Sequence, residues 1–234
     1  MDLKEVNREL ITAEPQKILD WALQSFPYQI AMTTSFQVSG TVLLHMIRDK
    51  TFDFPVFFID TGFHFPETIA FKNRLVREWK LNIHTIIPSM SRKEQRKKYG
   101  PFLYERNPDL CCKINKVIPL SHLKKEIGVK KWISAVRKDQ GKGRKQLKPV
   151  MEDTEKGLRI HPLYNWTWEK IWSYVRENDL PYHPLYDKGY TSIGCFPPSC
   201  TGKNEISEGE RAGRWRGRQK TECGLHTGLK TGSE

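Results

Sequence analysis

The sequence predicts an α/β protein built on an open, mainly parallel sheet with helices on both faces. Three observations carry that expectation. Strand-like and helix-like apolar patterns alternate through the first half of the chain. One strand candidate, "FPVFFIDTG", is apolar without alternation, as a strand covered on both faces must be. Three strand candidates exit into polar turns, "TTSFQVSG", "IDTGFHFPET" and "SAVRKDQ", at the sheet edge where such folds bind ligands.

The elements follow in order. "PQKILDWALQSF" has helical apolar spacing, and "QIAMTTSF" is a strand entering a Ser/Thr turn. "GTVLLHMIRDK" is a helix with apolar residues on successive turns, and "FPVFFIDTG" is the buried strand. "PETIAFKNRLVREWK" opens on Pro, favoured at the first helical position because no N–H bond is lost there. "LNIHTIIP" is a third strand; "KWISAV" is a fourth, after the helical "NKVIPLSHLKKEIG". Past residue 150 the chain turns aromatic, with a helix expected over about Thr167 to Asn178. Trp168 and Trp172, one turn apart, are expected to face the core. From Gly202 the chain is polar, basic and Gly-containing, which predicts a poorly packed, mobile tail. The expected division is an α/β domain over residues 1–201 and a tail over 202–234.

Composition narrows the function classes. A chain of 234 residues that is 38% hydrophobic can bury a substantial core. No run of about 18 apolar residues occurs, so no membrane span is expected. The charged start "MDLKEVNRELITAEPQ" lacks the apolar segment of a signal peptide, so a cytoplasmic protein is expected. The net charge of +12 suits nucleic acid, an anionic membrane face or a small polyanion. Any single basic cluster, such as "SRKEQRKKYG", reads most simply as a solvated face. The five cysteines, an odd number, cannot all pair within the chain. Cytoplasmic proteins seldom use structural disulfides. Four metal ligands plus one nucleophile is the partition these counts suggest.

Several stretches bear on chemistry. "SFQVSG" offers hydroxyls and amide N–H groups at a helix N-terminus, an anion cradle, though without the Gly-Lys-Ser/Thr ending of a Walker loop. Arg137 and Lys138 sit at a strand exit, with Arg144 and Lys145 close behind; guanidinium forks suit phosphate or sulfate oxygens. Cys111 and Cys112 are adjacent, and a bridge between neighbours is strained. With Cys195 and Cys200 of "GCFPPSC" they can form a four-thiolate site, for which zinc and iron–sulfur centres are both open. Cys223 lies in the basic tail, where Arg and Lys favour the thiolate, a candidate nucleophile toward an anionic substrate; His226 is three residues on.

Jointly these residues resemble the assimilatory sulfonucleotide reductases, which act on adenylyl sulfate (APS) or its 3′-phosphorylated form (PAPS). The markers are "TSFQ" with "GTVLLHMI", "FIDTGFHFPET", "CCKINKVIPL", "AVRKDQ", "HPLYNWTWEKIWSY", "LPYHPLYDKGYTSIGC", "RAGRW" and "ECGLH", from about Met32 to His226 in the family's order. The resemblance implies an adenine nucleotide α-hydrolase-like fold. It implies that Ser35, Phe36, Gln37 and Gly40, with Asp60, Thr61 and Gly62, hold the nucleotide. Arg137 and Lys138 would bind the phosphosulfate, helped by Arg144, Arg211 and Arg214, with His226 also at the substrate. Cys223 would attack sulfur, expel AMP and carry an S-sulfonate, from which thioredoxin or glutaredoxin thiols release sulfite. The Cys-Cys branch resembles the APS reductases, implying one 4Fe–4S cluster on Cys111, Cys112, Cys195 and Cys200, with Lys116 beside it.

Two features depart from the family pattern. The usual Cys-x-x-Cys is here Cys195-Phe-Pro-Pro-Ser-Cys200, two residues longer, and Gly141 follows "RKDQ" where Ser is frequent. The expectation is that the cluster survives with a bulged loop, since all four thiolates remain. Other readings are PAPS as substrate, a basic nucleic-acid-binding protein with a Cys₄ site, and an ATP-consuming enzyme of the same fold. The last is disfavoured because the first loop lacks Ser-Gly-Gly-x-Asp-Ser.

Overall fold

The computed structural model describes residues 1–51, 53–153, 157–196, 202–203, 209–215, 217–220 and 222–225. Cys200 and His226, both expected at the site, lie outside the described residues.

Helices α1 (Leu3–Leu10) and α2 (Pro15–Ser25) lead into β1 (Ile30–Thr34), α3 (Val38–Arg48), β2 (Val56–Ile59), α4 (Pro66–Trp79) and β3 (Ile83–Ile86). Three short helices follow: α5 (Arg92–Tyr99), α6 (Leu103–Arg106) and α7 (Pro108–Cys112). A π-helical turn at Lys113–Val117 then runs directly into α8 (Ile118–Ile127). Next come β4 (Lys131–Ile133), β5 (Val150–Glu152), β6 (Leu158–Ile160) and α9 (Trp168–Glu177), then a small ribbon of β7 (Tyr190–Ser192) and β8 (Gly202–Lys203).

The main sheet has the order β3-β2-β1-β4-β6-β5, parallel except for the β5–β6 pair at one edge. Strand residues alternate between two cores. Ile30, Met32, Val56, Phe58 and Ile133 enter the larger one, with apolar residues of α2, α3 and α9. Ala31, Phe57, Ile59 and Trp132 enter the smaller one, with Leu120 of α8 and partly buried Leu225. Both faces are covered, which is why "PVFFI" shows no alternation. Trp168 and Trp172 are partly buried against the larger core, as expected.

Local signals set the boundaries. Pro66 starts α4, and Ser91 with Glu94 closes a capping box on α5. Gly40, in the first turn of α3, lies against β1; a Cβ there would sit 2.9 Å from Thr34 Oγ1. Only glycine lets helix and strand approach so closely without displacing the Thr34 side chain.

The expected poorly packed tail is corrected for the segments seen. Trp215 is 1% exposed and Cys223 7%, and both belong to one apolar cluster with Cys112 and Cys195. Arg214 and Lys220 stack over the Trp215 ring at 4.8 and 5.3 Å. The pattern looked like a tail because its apolar residues are few; one tryptophan carries the packing.

Two buried histidines make stability depend on pH. Burial, then the charges of Arg159 and Arg144, push His161 down to about 3, and burial likewise pushes His183 down to about 4. Both stay neutral in the fold, whereas in the unfolded chain they take up protons as pH falls below the ordinary value of 6.5. The unfolded state then binds more protons, so stability is lost as pH falls. Urea unfolding between pH 7 and 5 should show declining stability, His161 contributing up to about 1.4 kcal/mol per pH unit below its unfolded pKa. A flat profile would contradict this.

Candidate active site

The chain runs from β1 outward through β2 to β3, then returns to lay β4 on the other side of β1. The order reverses between β1 and β4, and a crevice opens at the carboxyl ends of these strands. Its wall comes from the β1 exit (Ser35, Gln37, Ser39, Gly40), the β2 exit (Ile59, His64) and the β4 exit (Ser134, Ala135, Val136). The segment after β8 closes the far side with Glu210, Arg211, Arg214, Cys223 and Leu225. The crevice opens at its mouth, and the space it frames, solvent at the mouth included, is about 1130 Å³.

The first loop is held by its partners. Gln37 Oε1 accepts from the Ile193 N–H at 3.0 Å and from Ser192 Oγ at 3.3 Å, tying the loop to the stretch before Cys195. Val38 N–H donates to the Tyr186 hydroxyl at 3.0 Å. Phe36 does not line the crevice. It is fully buried against Phe58, at a left-handed φ of 56°, and that unfavourable backbone turns its neighbours toward the opening.

The arginines divide into two groups. Arg137, expected at the substrate, has no exposed surface. It pairs with Glu210, with Asp139 at 3.0 Å and with Ser39, and it does not line the crevice. Lys138 lies over the Tyr164 ring at 4.8 Å and is also outside. Arg144, Arg211 and Arg214 do line it. Glu222 receives Arg144 through two bonds, 2.6 Å from Nε and 2.7 Å from Nη2, and Arg211 at 3.1 Å. Arg214 donates to Ser192 Oγ at 3.4 Å, and its buried Nε has no partner among the described residues. Burial and the neighbouring charges of Arg214 and Arg144 push Arg211 down to about 9. Crowded guanidinium groups at one wall favour an anion there.

Asp60, Thr61 and Gly62, expected at the nucleotide, also fall outside the lining. Asp60 accepts from Gly62 N–H at 3.0 Å, a local turn, and Thr61 Oγ1 stands 3.8 Å from Cys195 Sγ. His64, which the motif analysis passed over, is in the wall instead, its Nε2 2.9 Å from the Ile59 carbonyl oxygen. Lys116 also lines the crevice. The π-turn after Cys112 carries it, one of the extra-residue turns that recur at functional sites.

Cys223 is buried at the crevice wall. The thiol of Cys112 donates to it. That bond, the charges of Lys116 and Arg214 and the Leu225 N–H hold Cys223 well below the usual thiol range against the effect of burial. The Cys112 thiol is correspondingly pushed up, by that bond and by burial. The Cys223 charge is thus balanced by Lys116 and Arg214 rather than by the basic residues beside it in sequence.

Of the four cysteines expected to bind a cluster, Cys111, Cys112 and Cys195 are among the described residues. Among the described residues, no three His, Cys, Asp or Glu groups are close enough to hold a metal ion. The surroundings nonetheless fit a sulfur-ligated centre in kind. Asn115 Nδ2 donates to Cys111 Sγ at 3.6 Å, Thr61 reaches Cys195, and Lys116 is charged against the surrounding sulfurs despite burial.

The comparisons with known proteins agree with this geometry. Residues 29–203 match the phosphoadenosine phosphosulfate reductase domain family. A phosphoadenosine 5′-phosphosulfate reductase of Gloeobacter violaceus is 40% identical over 227 residues, 96% of this chain and 93% of its own length. An adenosine 5′-phosphosulfate reductase of Bacillus cytotoxicus is 42% identical over 211 residues, 89% of this chain and 88% of its own. The crystal structure of a phosphoadenylyl-sulfate reductase from Candida auris, in a phosphate complex, superposes with a TM-score of 0.74 at 33% identity, covering 84% of this chain and 96% of that one. By the family match and these relatives, this chain belongs to the phosphoadenosine phosphosulfate reductase domain family.

Proposed function

We propose that this protein reduces adenylyl sulfate to sulfite and AMP in sulfate assimilation, with Cys223 as nucleophile. The observation that carries the reading is Cys223 itself, a thiol in the wall of a crevice whose other side chains include Lys116, Arg211 and Arg214. A thiolate there meets the sulfur of a bound phosphosulfate, and the cations offset charge gathering on the leaving phosphate.

The steps balance. Cys223 Sγ bonds to sulfur, the S–O bond to phosphate breaks, and its electron pair leaves with AMP. A thiolate of an external dithiol then attacks Cys223 Sγ, sulfite departs, and the donor's second thiol resolves the mixed disulfide. The donor is oxidised and sulfur is reduced by two electrons. Arg214 and Arg211 hold the phosphosulfate; Ser35, Gln37 and Gly40 hold the nucleotide end. Thioredoxin or glutaredoxin supplies the dithiol, and an odd set of five cysteines suits the reducing cytoplasm.

Cys111, Cys112, Cys195 and Cys200 would hold a 4Fe–4S cluster, whose negative charge Lys116 would face. Its contribution is electrostatic, fixing the Lys116 ammonium near the phosphosulfate. PAPS is the second reading, favoured by the family match and by the Gloeobacter relative's name. Sulfite release from each nucleotide with thioredoxin decides between them; a strong preference for PAPS would overturn the first choice.

Four substitutions test the assignments. Cys223→Ser is expected to lower sulfite release on the order of a thousandfold or more while AMP still binds; substantial residual turnover would remove the nucleophile assignment. Cys200→Ala should reduce anaerobically measured iron from about four per chain to near zero; unchanged iron would exclude Cys200 as a ligand. Arg214→Ala should weaken AMP binding at least about tenfold with little loss of stability. Arg137→Ala should instead lose about 3–5 kcal/mol of stability, because it strands buried carboxylates. Calorimetric titration and thermal unfolding separate the two.

A further inference from the structure

Residues 222–225 form neither helix nor strand, yet they place Cys223 at the crevice. Two guanidinium anchors flank the cysteine. On one side Arg144, from the short turn at Lys142–Arg144 after β4, forks onto the Glu222 carboxylate at 2.6 and 2.7 Å. On the other side Arg159 of β6 donates to the Leu225 carbonyl at 2.7 Å, while Leu225 packs against the smaller core. Glu222 has a second cation, Arg211, at 3.1 Å, and its side chain is only 13% exposed. Burial alone would raise its pKa, but the Arg144 bonds and the Arg211 charge hold it below the ordinary value.

Arg144 and Arg211 are themselves crevice residues. The Glu222 carboxylate therefore sits on donors that an incoming phosphosulfate also approaches, and the Nε–Nη2 edge of Arg144 cannot serve both anions at once. We propose that Glu222 is a positioning residue and an internal counter-anion: it latches the Cys223 segment to the crevice through Arg144 and Arg211, and the bound nucleotide competes with it for those groups. The inference rests on the proposed function only in naming the competing anion. The latch itself is a statement about Cys223 in the free protein.

Removing the charge while keeping the shape should separate binding from turnover. In full-length, anaerobically purified Glu222→Gln, AMP should bind about tenfold more tightly, because one competing charged partner is gone. The kcat for sulfite release should fall, because Cys223 is no longer held, so KM and kcat drop together. Iodoacetamide should alkylate Cys223 faster in the nucleotide-free variant, read by peptide mass. A residue that merely supports the fold would weaken AMP binding instead. Unchanged or weaker AMP affinity, or an unchanged alkylation rate, overturns the proposal. Should Glu222→Gln fail to fold, Glu222→Asp keeps the charge on a shorter arm. It should retain wild-type AMP affinity and still speed Cys223 alkylation; alkylation at the wild-type rate overturns the latch. A wild-type protein that neither binds AMP nor yields sulfite removes the proposed function, while the alkylation comparison still decides the latch.

Discussion

Burying guanidinium charge is the costliest thing this fold does, and much of the site's arrangement follows from it. Arg137, Arg144 and Arg214 are 0%, 6% and 8% exposed, and each lies at or beside one crevice. A buried charge without a partner costs several kcal/mol, so partners must be delivered from elsewhere in the chain. For Arg137 and Arg144 those partners include Glu210 and Glu222, both from the stretch after β8. The sheet therefore cannot present its cations without drawing the C-terminal segment over them. The same segment brings Cys223, so charge compensation and the placement of Cys223 are one event.

The sulfur-rich corner shows a related economy. Trp215 packs with Cys112, Cys195 and Cys223, and is itself covered by Arg214 and Lys220. Cations over the ring face gain from its quadrupole, and Lys220 there also pairs with Asp109. Lys116, from the π-turn, is charged against the surrounding thiols. One positive group thus stands between a set of sulfurs and the anion-binding wall.

Much of the framework was legible from local pattern. Pro66, the apolar run at 54–59 and the helical spacing at 168–177 each encode their element within a dozen residues, and each formed where expected. Strands β5 and β6 were not foreseen: each is three residues, too few to display alternation, and neither continues into an apolar run as β4 does in "KWISAV". The burial of residues 209–215 and 222–225 was missed for a different reason. A basic stretch reads as solvated unless its carboxylate and aromatic partners are known, and here those partners are distant or singular.

Cys223 as a candidate nucleophile, the basic turn after β4 and the α/β class were determined by the sequence, because each depends on residues close together in the chain. Which cation faces the ligand was decided only by the tertiary structure. Arg137 and Arg144 read alike along the chain, at a strand exit rich in positive charge. Arg137 is sequestered by Glu210, 73 positions away, and by Ser39, 98 positions away, whereas Arg144 meets the crevice beside Glu222, 78 positions on. An ionic partner at such separation leaves no periodic trace in the sequence, since only the folded sheet brings the two charges within reach.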